Sequence, residues 1–301
     1  MGTLKEEKAV EAQMGNRRKG IACIVLSALC FAFMNVCIRA AGDLPSLQKV
    51  FFRNLIAFFV ALFVLRRNHV HFSGTKSNLP LLVVRSMFGM LGMLGNFYAV
   101  DHLVLADASM LNKMSPFFAI LFSILILKEK ITWKQAAAVL GAFAGSLLII
   151  KPTGFDVQNP AALVGLLGGM GAGIAYTFVR ILGKRGEAGP FIVCFFSGFS
   201  TLVLLPVFLY VYEPMSLWQT GCMLMAGVAA TGGQFTITAA YCYAPARDIS
   251  VYDYSQIVFS AAFGFLLFGQ IPDLLSWIGY AVICSMAVWM FFVDKKKAAV
   301  S

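Results

Sequence analysis

The chain has 301 residues, of which 59% are hydrophobic and only 13% are charged. A soluble protein could not cover so much apolar surface with so few charges, so the composition indicates a membrane protein and excludes a soluble domain. The net charge of +10 would also suit a nucleic-acid-binding protein, but the positions of the basic residues argue against that function.

Ten apolar runs follow one another along the chain, most of them long enough for a helix to cross a hydrocarbon core of about 30 Å. They are too long for barrel strands and do not alternate with a period of two, so we predict helices. Spans 1 to 10 cover residues 20–41, 46–65, 80–101, 104–127, 133–150, 161–183, 190–212, 218–240, 246–268 and 274–293. The residues before span 1 are hydrophilic and no cleavage motif follows it, so we expect this span to be retained.

Lysine and arginine lie mainly at one end of the predicted spans. This end carries, among others, Arg66, Lys128, Lys184 and the tail of residues 295–297, whereas the opposite loops are mainly acidic. The positive-inside rule therefore predicts a multi-pass protein of the plasma (inner) membrane with both termini in the cytoplasm. The net charge reflects this topology, and we expect no nucleic-acid partner.

An internal repeat with an offset of 141 residues divides the chain into two halves. Asp107-Ala108-Ser109 is repeated as Asp248-Ile249-Ser250, Phe118 corresponds to Phe259, and Glu129 to Gln270. Five spans per half is an odd number, so the halves are predicted to have inverted topology, the arrangement on which alternating access depends. The expected organisation is a cytoplasmic tail at 1–19, a first repeat at 20–150, a linker at 151–160, a second repeat at 161–293 and a basic tail at 294–301.

The sequence contains no pattern typical of an enzyme. The three histidines lie near loops, the seven cysteines lie inside spans without zinc-type spacing, and no HExxH, GxSxG or phosphate-loop motif is present. We therefore predict neither catalytic residues nor a metal or cofactor site.

Ionisable residues inside the spans are the main candidates for function, because burying them in a membrane is costly. Arg53 lies in span 2, Arg85 in span 3, and Lys113 about 15 Å into span 4 at a rise of about 1.5 Å per residue. Arg39 and Arg180 lie nearer the ends of their spans, so we expect their side chains to reach the membrane surface.

Asp107 and Asp253 are the acidic residues inside the spans, and either could bind a coupling proton or ion. The repeat places Asn112 and Lys113 opposite Asp253 and Tyr254, so Lys113 and Asp253 are expected to face each other across a cavity. They would form either a structural ion pair or a pair that opens when substrate or a proton arrives. The basic residues are in slight excess, which favours an anionic or zwitterionic substrate.

Polar side chains on the same spans are further candidates for binding a small organic solute, although each also suits a hydrogen bond between helices. The candidate substrate-binding set is Lys113, Arg85, Arg53, Asn35, Asn96, Tyr98, Asn112, Tyr252, Asp253 and Gln256. Pro116 is expected to kink span 4.

The sequence resembles an EamA-type member of the drug/metabolite transporter superfamily, to which the solute-carrier 35 families are related. The resemblance is carried by Arg85, Gly89, Asn96-Phe97-Tyr98-Ala99, Ala106, Pro116-Phe117, Glu129, Gly141, Gly145, Pro152 and the segment Val50–Asn54. Gln270 and Ile257 depart from it, because symmetry with the first half would place glutamate and proline there. The resemblance implies a ten-helix inverted-repeat fold and a central cavity lined by helices 1, 3, 4, 6, 8 and 9.

The expected function is secondary active transport of a small organic metabolite, for example a carboxylate, an amino acid or a nucleotide-type compound. The alternatives are proton-exchange export of amphipathic or cationic compounds, a passive channel, and a membrane scaffold without transport. The expected partners are the substrate, the lipid bilayer and a proton or counter-substrate, with the protein a monomer or a homodimer.

Overall fold

The computed structural model describes residues 2–67, 76–127, 133–150, 160–243 and 250–300, and within these ranges the chain is helical, without strands. The helices are α1 (Gly2–Ala40), α2 (Ser46–Arg67), α3 (Leu79–His102), α4 (Leu105–Asn112), α5 (Ser115–Leu127), α6 (Trp133–Ile150), α7 (Ala161–Lys184), α8 (Gly189–Val211), α9 (Leu217–Tyr243), α10 (Ser255–Phe268) and α11 (Leu274–Val300). Short 3₁₀ turns occupy Lys76–Asn78 and Ser250–Tyr254. The prediction of an all-helical protein is confirmed.

Among the described residues, five helical stretches are long and apolar enough to cross a membrane on their own. They are Arg18–Ala40, Ser46–Arg67, Leu79–His102, Ala161–Gly183 and Gly189–Val211, and two shorter apolar helices cover Ala136–Ile149 and Leu274–Met290. The chain is therefore a multi-pass helical bundle, and the full count of ten spans stays a prediction.

Span 4 is broken rather than kinked at its proline. α4 ends at Asn112, Lys113 and Met114 form a turn, and α5 begins at Ser115. Pro116 thus lies in the first turn of α5, where a proline is tolerated because the backbone N–H there has no partner within the helix. The break comes before the position that the sequence predicted for a kink.

Span 9 has a matching irregularity. The 3₁₀ turn at Ser250–Tyr254 gives way to α10 at Ser255. The repeat offset places Lys113 on Tyr254 and Met114 on Ser255, so α5 and α10 begin within one residue of equivalent positions near the middle of a span.

The packing of the helices follows the repeat. α1 packs along α9 and α3 along α7, while α2 pairs with α8, α6 with α11, and α4 with α10. Exchanging each span with its counterpart in the other half leaves this pairing unchanged, since spans 1 and 8 become spans 6 and 3. The two halves therefore meet through equivalent contacts.

Glycines bring α7 close to two neighbours. A Cβ added at Gly95 would lie 2.7 Å from the carbonyl oxygen of Val164, so α3 and α7 cross backbone to backbone. On another face of α7, a Cβ at Gly169 would lie 2.5 Å from the carbonyl oxygen of Leu111, and one at Gly173 would lie 2.7 Å from that of Ser115. Close approach of this kind is a common source of helix association in membranes. It holds α3 and the broken span 4 against the same helix.

The bundle has two ends, which we name from α1. The terminal end holds the start of the apolar part of α1 and the α7–α8 turn. The distal end holds the turn between α1 and α2, residues 103–104 between α3 and α4, and residues 269–273 between α10 and α11.

Candidate functional site

A cavity of about 120 Å³ lies between the two halves. Its lining residues are Phe31, Met34, Asn35, Arg53, Arg85, Gly89, Gly92, Met93, Asn96, Phe97, Asn112, Lys113, Ala172, Ala175, Tyr176, Phe196, Gln234, Ile237 and Gln256. They come from α1, α2, α3, the break in span 4, α7, α8, α9 and α10. This set includes the six helices that the family resemblance implied and adds spans 2 and 7.

Several lining residues occupy equivalent positions in the two halves. At the offset of 141 the pairs are Phe31 with Ala172, Met34 with Ala175, Asn35 with Tyr176, Met93 with Gln234, and Asn96 with Ile237. The two residues of each pair differ in chemistry, so equivalent positions of the two halves present different side chains to the cavity.

Among the described lining residues, Arg85 has the most buried side-chain atoms without a hydrogen-bond partner. It is buried, and its guanidinium carbon lies 3.9 Å from the ring centroid of Phe196, a cation–π contact. Its Nε and Nη1 have no hydrogen-bond partner among the described residues. Buried guanidinium donors without an acceptor are costly, so they suit a site that receives an anion from outside.

Arg53 presents a second buried guanidinium to the same cavity. Its Nη1 donates a hydrogen bond of 3.0 Å to Asn54 Oδ1, while its Nε has no partner in the described part of the chain. The cavity therefore has free donors on α2 as well as on α3.

Lys113 and Asp253 join the two irregular spans. Lys113 Nζ lies 2.5 Å from Asp253 Oδ2, and the Tyr254 hydroxyl donates a hydrogen bond of 3.2 Å to the carbonyl oxygen of Lys113. The two residues that the repeat placed opposite each other are thus in direct contact. Asp253 Oδ1 has no partner among the described residues, so this carboxylate retains an acceptor.

Helix dipoles add to the positive character of this region. α5 and α10 begin directly after Lys113–Met114 and Tyr254, respectively, and the amino end of a helix carries partial positive charge. The described lining residues include the cations Arg53, Arg85 and Lys113 and no carboxylate. Asp253, bound to Lys113, neutralises one of these charges.

Two side-chain amides supply hydrogen-bond acceptors. Asn35 Nδ2 donates to Ser109 Oγ at 3.4 Å, and Ser109 Oγ lies 2.7 Å from Ser260 Oγ. Asn35 Oδ1 and Asn96 Oδ1 are buried and have no partner within the described ranges. The cavity thus offers acceptors on α1 and α3 in addition to its cations.

Of the candidate residues, seven line the cavity: Asn35, Arg53, Arg85, Asn96, Asn112, Lys113 and Gln256. Asp253 reaches it through Lys113. Tyr98 does not line it: this ring stacks on His102 with centroids 4.1 Å apart, in a separate groove of about 1120 Å³ along α3 and α7. Tyr98 follows Asn96 by two residues, and residues two apart lie on different faces of an α-helix.

Tyr252 and Asp107 also lie outside the cavity lining. Tyr252 belongs to the 3₁₀ turn and is 37% exposed. Asp107 is buried and accepts a hydrogen bond of 2.5 Å from the Tyr280 hydroxyl. A coupling role for Asp107 would therefore act from beside the cavity.

The sequence did not predict Tyr176 and Phe196 as cavity residues, and the position that it predicted for the Arg39 side chain is wrong. Tyr176 could have been found, because it is the repeat equivalent of Asn35, but no sequence signal marks Phe196 as the partner of Arg85. Arg39, expected to reach the membrane surface, instead donates from Nη1 to the carbonyl oxygens of Val100, at 2.8 Å, and Leu103. Asp248 and Glu129 lie outside the described residues.

A polar cavity between two similar helical halves is typical of a membrane transporter for small molecules. Residues 18–151 and 159–292 each match the EamA-like transporter family, so the chain belongs to this family. The resemblance that the sequence suggested is confirmed.

Known proteins are similar to the chain over most of its length. It is 35% identical over 268 residues to the Pseudopaline exporter CntI of Pseudomonas aeruginosa, covering 88% of this chain and 93% of that protein. It is 24% identical over 284 residues to the S-adenosylmethionine uptake transporter of Rickettsia prowazekii, covering 92% and 94%. One crystal structure, 15% identical, superposes with a TM-score of 0.64 over 92% of this chain and 98% of that one, which supports the fold alone.

Proposed function

We propose that the protein is a secondary active transporter that moves a small metabolite bearing a carboxylate across the membrane by alternating access. Its ten spans form two five-span repeats of inverted topology, with the terminal end of the bundle in the cytoplasm. This proposal is supported by the equivalent helix pairings, the equivalent starts of α5 and α10 and the paired cavity lining, because inverted halves can exchange conformations.

The observation that carries the substrate class is the pair of free donors on Arg85. Arg85 Nε and Nη1 are buried donors without an acceptor, and a carboxylate is the acceptor that forms the strongest hydrogen bond with a guanidinium. Arg53 Nε adds a donor, and the amino ends of α5 and α10 favour negative charge nearby.

A zwitterion fits the cavity better than a simple anion. Asn35 Oδ1 and Asn96 Oδ1 are unpaired acceptors suited to an ammonium or other N–H group, and Asp253 Oδ1 is a third acceptor close to the cavity. We therefore place the carboxylate at the arginines and the N–H group toward Asn35 and Asn96. The relative with 35% identity is named an exporter, and we propose export here also.

The test is a flux assay in proteoliposomes with amino acids, di- and tricarboxylates, nucleotides and organic cations, each measured with and without a pH gradient. We expect saturable flux of a carboxylate-bearing compound. Arg85→Ala should lower kcat/KM by about 10- to 150-fold, the loss of one charge-assisted interaction of about 1.5–3 kcal/mol.

Arg66→Ala is the matched control, because Arg66 is exposed at the end of α2. It should change kcat/KM less than about twofold. Saturable flux of an organic cation alone would overturn the proposed substrate class, and flux that does not saturate would indicate a channel.

A further inference from the structure

Arg39 ties three helices together at the distal end of the cavity. From α1 it donates to the carbonyl oxygens of Val100 and Leu103, at the end of α3. Its guanidinium carbon also lies 5.5 Å from the ring centroid of Phe268, at the end of α10. Carbonyl groups at a helix end carry partial negative charge and suit a cation. One side chain thus fastens the distal ends of α1, α3 and α10.

These contacts lie directly above the cavity. Arg39 is four residues beyond Asn35 on α1, and Val100 is four residues beyond Asn96 on α3, so the contact is about one helical turn from the cavity wall. Nearby, Lys49 Nζ lies 2.6 Å from Asp101 Oδ1, and the side chain of Gln48 bonds both the N–H and the carbonyl of Glu213. These contacts tie the distal ends of the helices to one another.

The internal repeat assigns a counterpart to each part of this closure. At the offset of 141, Arg39 corresponds to Arg180 near the end of α7, and Val100 corresponds to Tyr241 near the end of α9. The pairing of α3 with α7 likewise mirrors that of α9 with α1. When inverted halves exchange conformations, a contact made by one half at one face is made by the other half at the opposite face.

We propose that Arg39 and Arg180 are alternating gate residues. Arg39 closes the distal end by bonding the last carbonyls of α3. In the opposite conformation Arg39 releases them, and Arg180 closes the terminal end by bonding the last carbonyls of α9. This inference rests on alternating access as proposed above, but not on the identity of the substrate.

The two gates differ in one respect. Phe268, beneath Arg39, corresponds to Leu127, which has no aromatic ring. A cation–π contact thus strengthens the distal gate, and the equivalent position cannot provide one at the terminal gate. We therefore expect the conformation with the distal gate closed to be the more stable of the two.

The test measures from which side the cavity is accessible. Met34 lines the cavity, so a cysteine introduced by Met34→Cys reports access to it. The variant is labelled with a membrane-impermeant maleimide in intact cells and in everted vesicles. Labelling of the parent protein's own cysteines is subtracted. Arg39→Ala should raise the rate of labelling from the distal side by at least about tenfold, because two hydrogen bonds from a charged group are lost. Arg180→Ala should shift labelling toward the terminal side, and the double variant should return close to the parent.

Two further variants keep the test decisive if Arg39→Ala fails to fold. Phe268→Leu copies the terminal gate and should raise distal labelling by about two- to fivefold, whereas Arg67→Ala, at an exposed position, should change nothing. Distal labelling that is unchanged in Arg39→Ala or Phe268→Leu, or Arg180→Ala acting in the same direction as Arg39→Ala, would overturn the gates. Flux of the parent that does not saturate would instead overturn alternating access.

Discussion

The ion pair between Lys113 and Asp253 allows its structural and transport roles to be separated by a double-mutant cycle. The variants are Lys113→Met, Asp253→Asn and the two combined. Lys113 Nζ and Asp253 Oδ2 are 2.5 Å apart, and only 8% and 15% of the two side chains are exposed. Each single substitution leaves an uncompensated charge in a poorly solvated site.

The expected magnitudes follow from this burial. Removing one partner of a buried pair costs about 3–5 kcal/mol, whereas replacing both partners leaves no uncompensated charge and costs much less. Folded proteins have about 5–15 kcal/mol of stability, so each single variant should melt at a clearly lower temperature. The double variant should recover most of the loss.

Transport should not recover in the same way. If Lys113 also binds the substrate carboxylate, the double variant folds but lacks a charge-assisted interaction of about 1.5–3 kcal/mol, which lowers kcat/KM by about 10- to 150-fold. Thermal melting of the purified protein and flux in proteoliposomes give the two readouts. A double variant that transports at the parental rate would show that the pair is only structural. A parental melting temperature in both single variants would refute the burial argument.

Two further predictions concern Asp107 and the contact between α3 and α7. If a pH gradient stimulates flux, Asp107→Asn should abolish the stimulation and Tyr280→Phe should retain it, because only the carboxylate can take up a proton. Stimulation that survives in Asp107→Asn would exclude this residue from coupling. Gly95→Ala should destabilise the protein by about 1–3 kcal/mol through overpacking, since its Cβ would lie 2.7 Å from the carbonyl oxygen of Val164. Gly221→Ala, with nothing within 4 Å of the new Cβ, should be neutral or gain up to about 1 kcal/mol in a melting assay, and equal losses for the two variants would contradict the packing argument.

Hydropathy and the repeat were sufficient to predict much of this protein from its sequence. An apolar run indicates a span because a backbone in lipid must satisfy its own hydrogen bonds. The repeat offset also pairs Lys113 with the region of Asp253 from the sequence alone. The burial of Arg53, Arg85 and Lys113 around one cavity follows from the same cost of placing charge in a membrane.

Only the tertiary structure decided which way each side chain faces. Asn96 lines the cavity and Tyr98, two residues later, does not, and no hydropathy signal separates the two positions because lipid tails and the bundle interior are both apolar. The same limit applies to Arg39: its depth in span 1 was evident from the sequence, but the helix-end carbonyls of α3 that bind it come from 61 and 64 residues away. The sequence thus determined how deep each residue lies, and the packing of the two halves determined its partner.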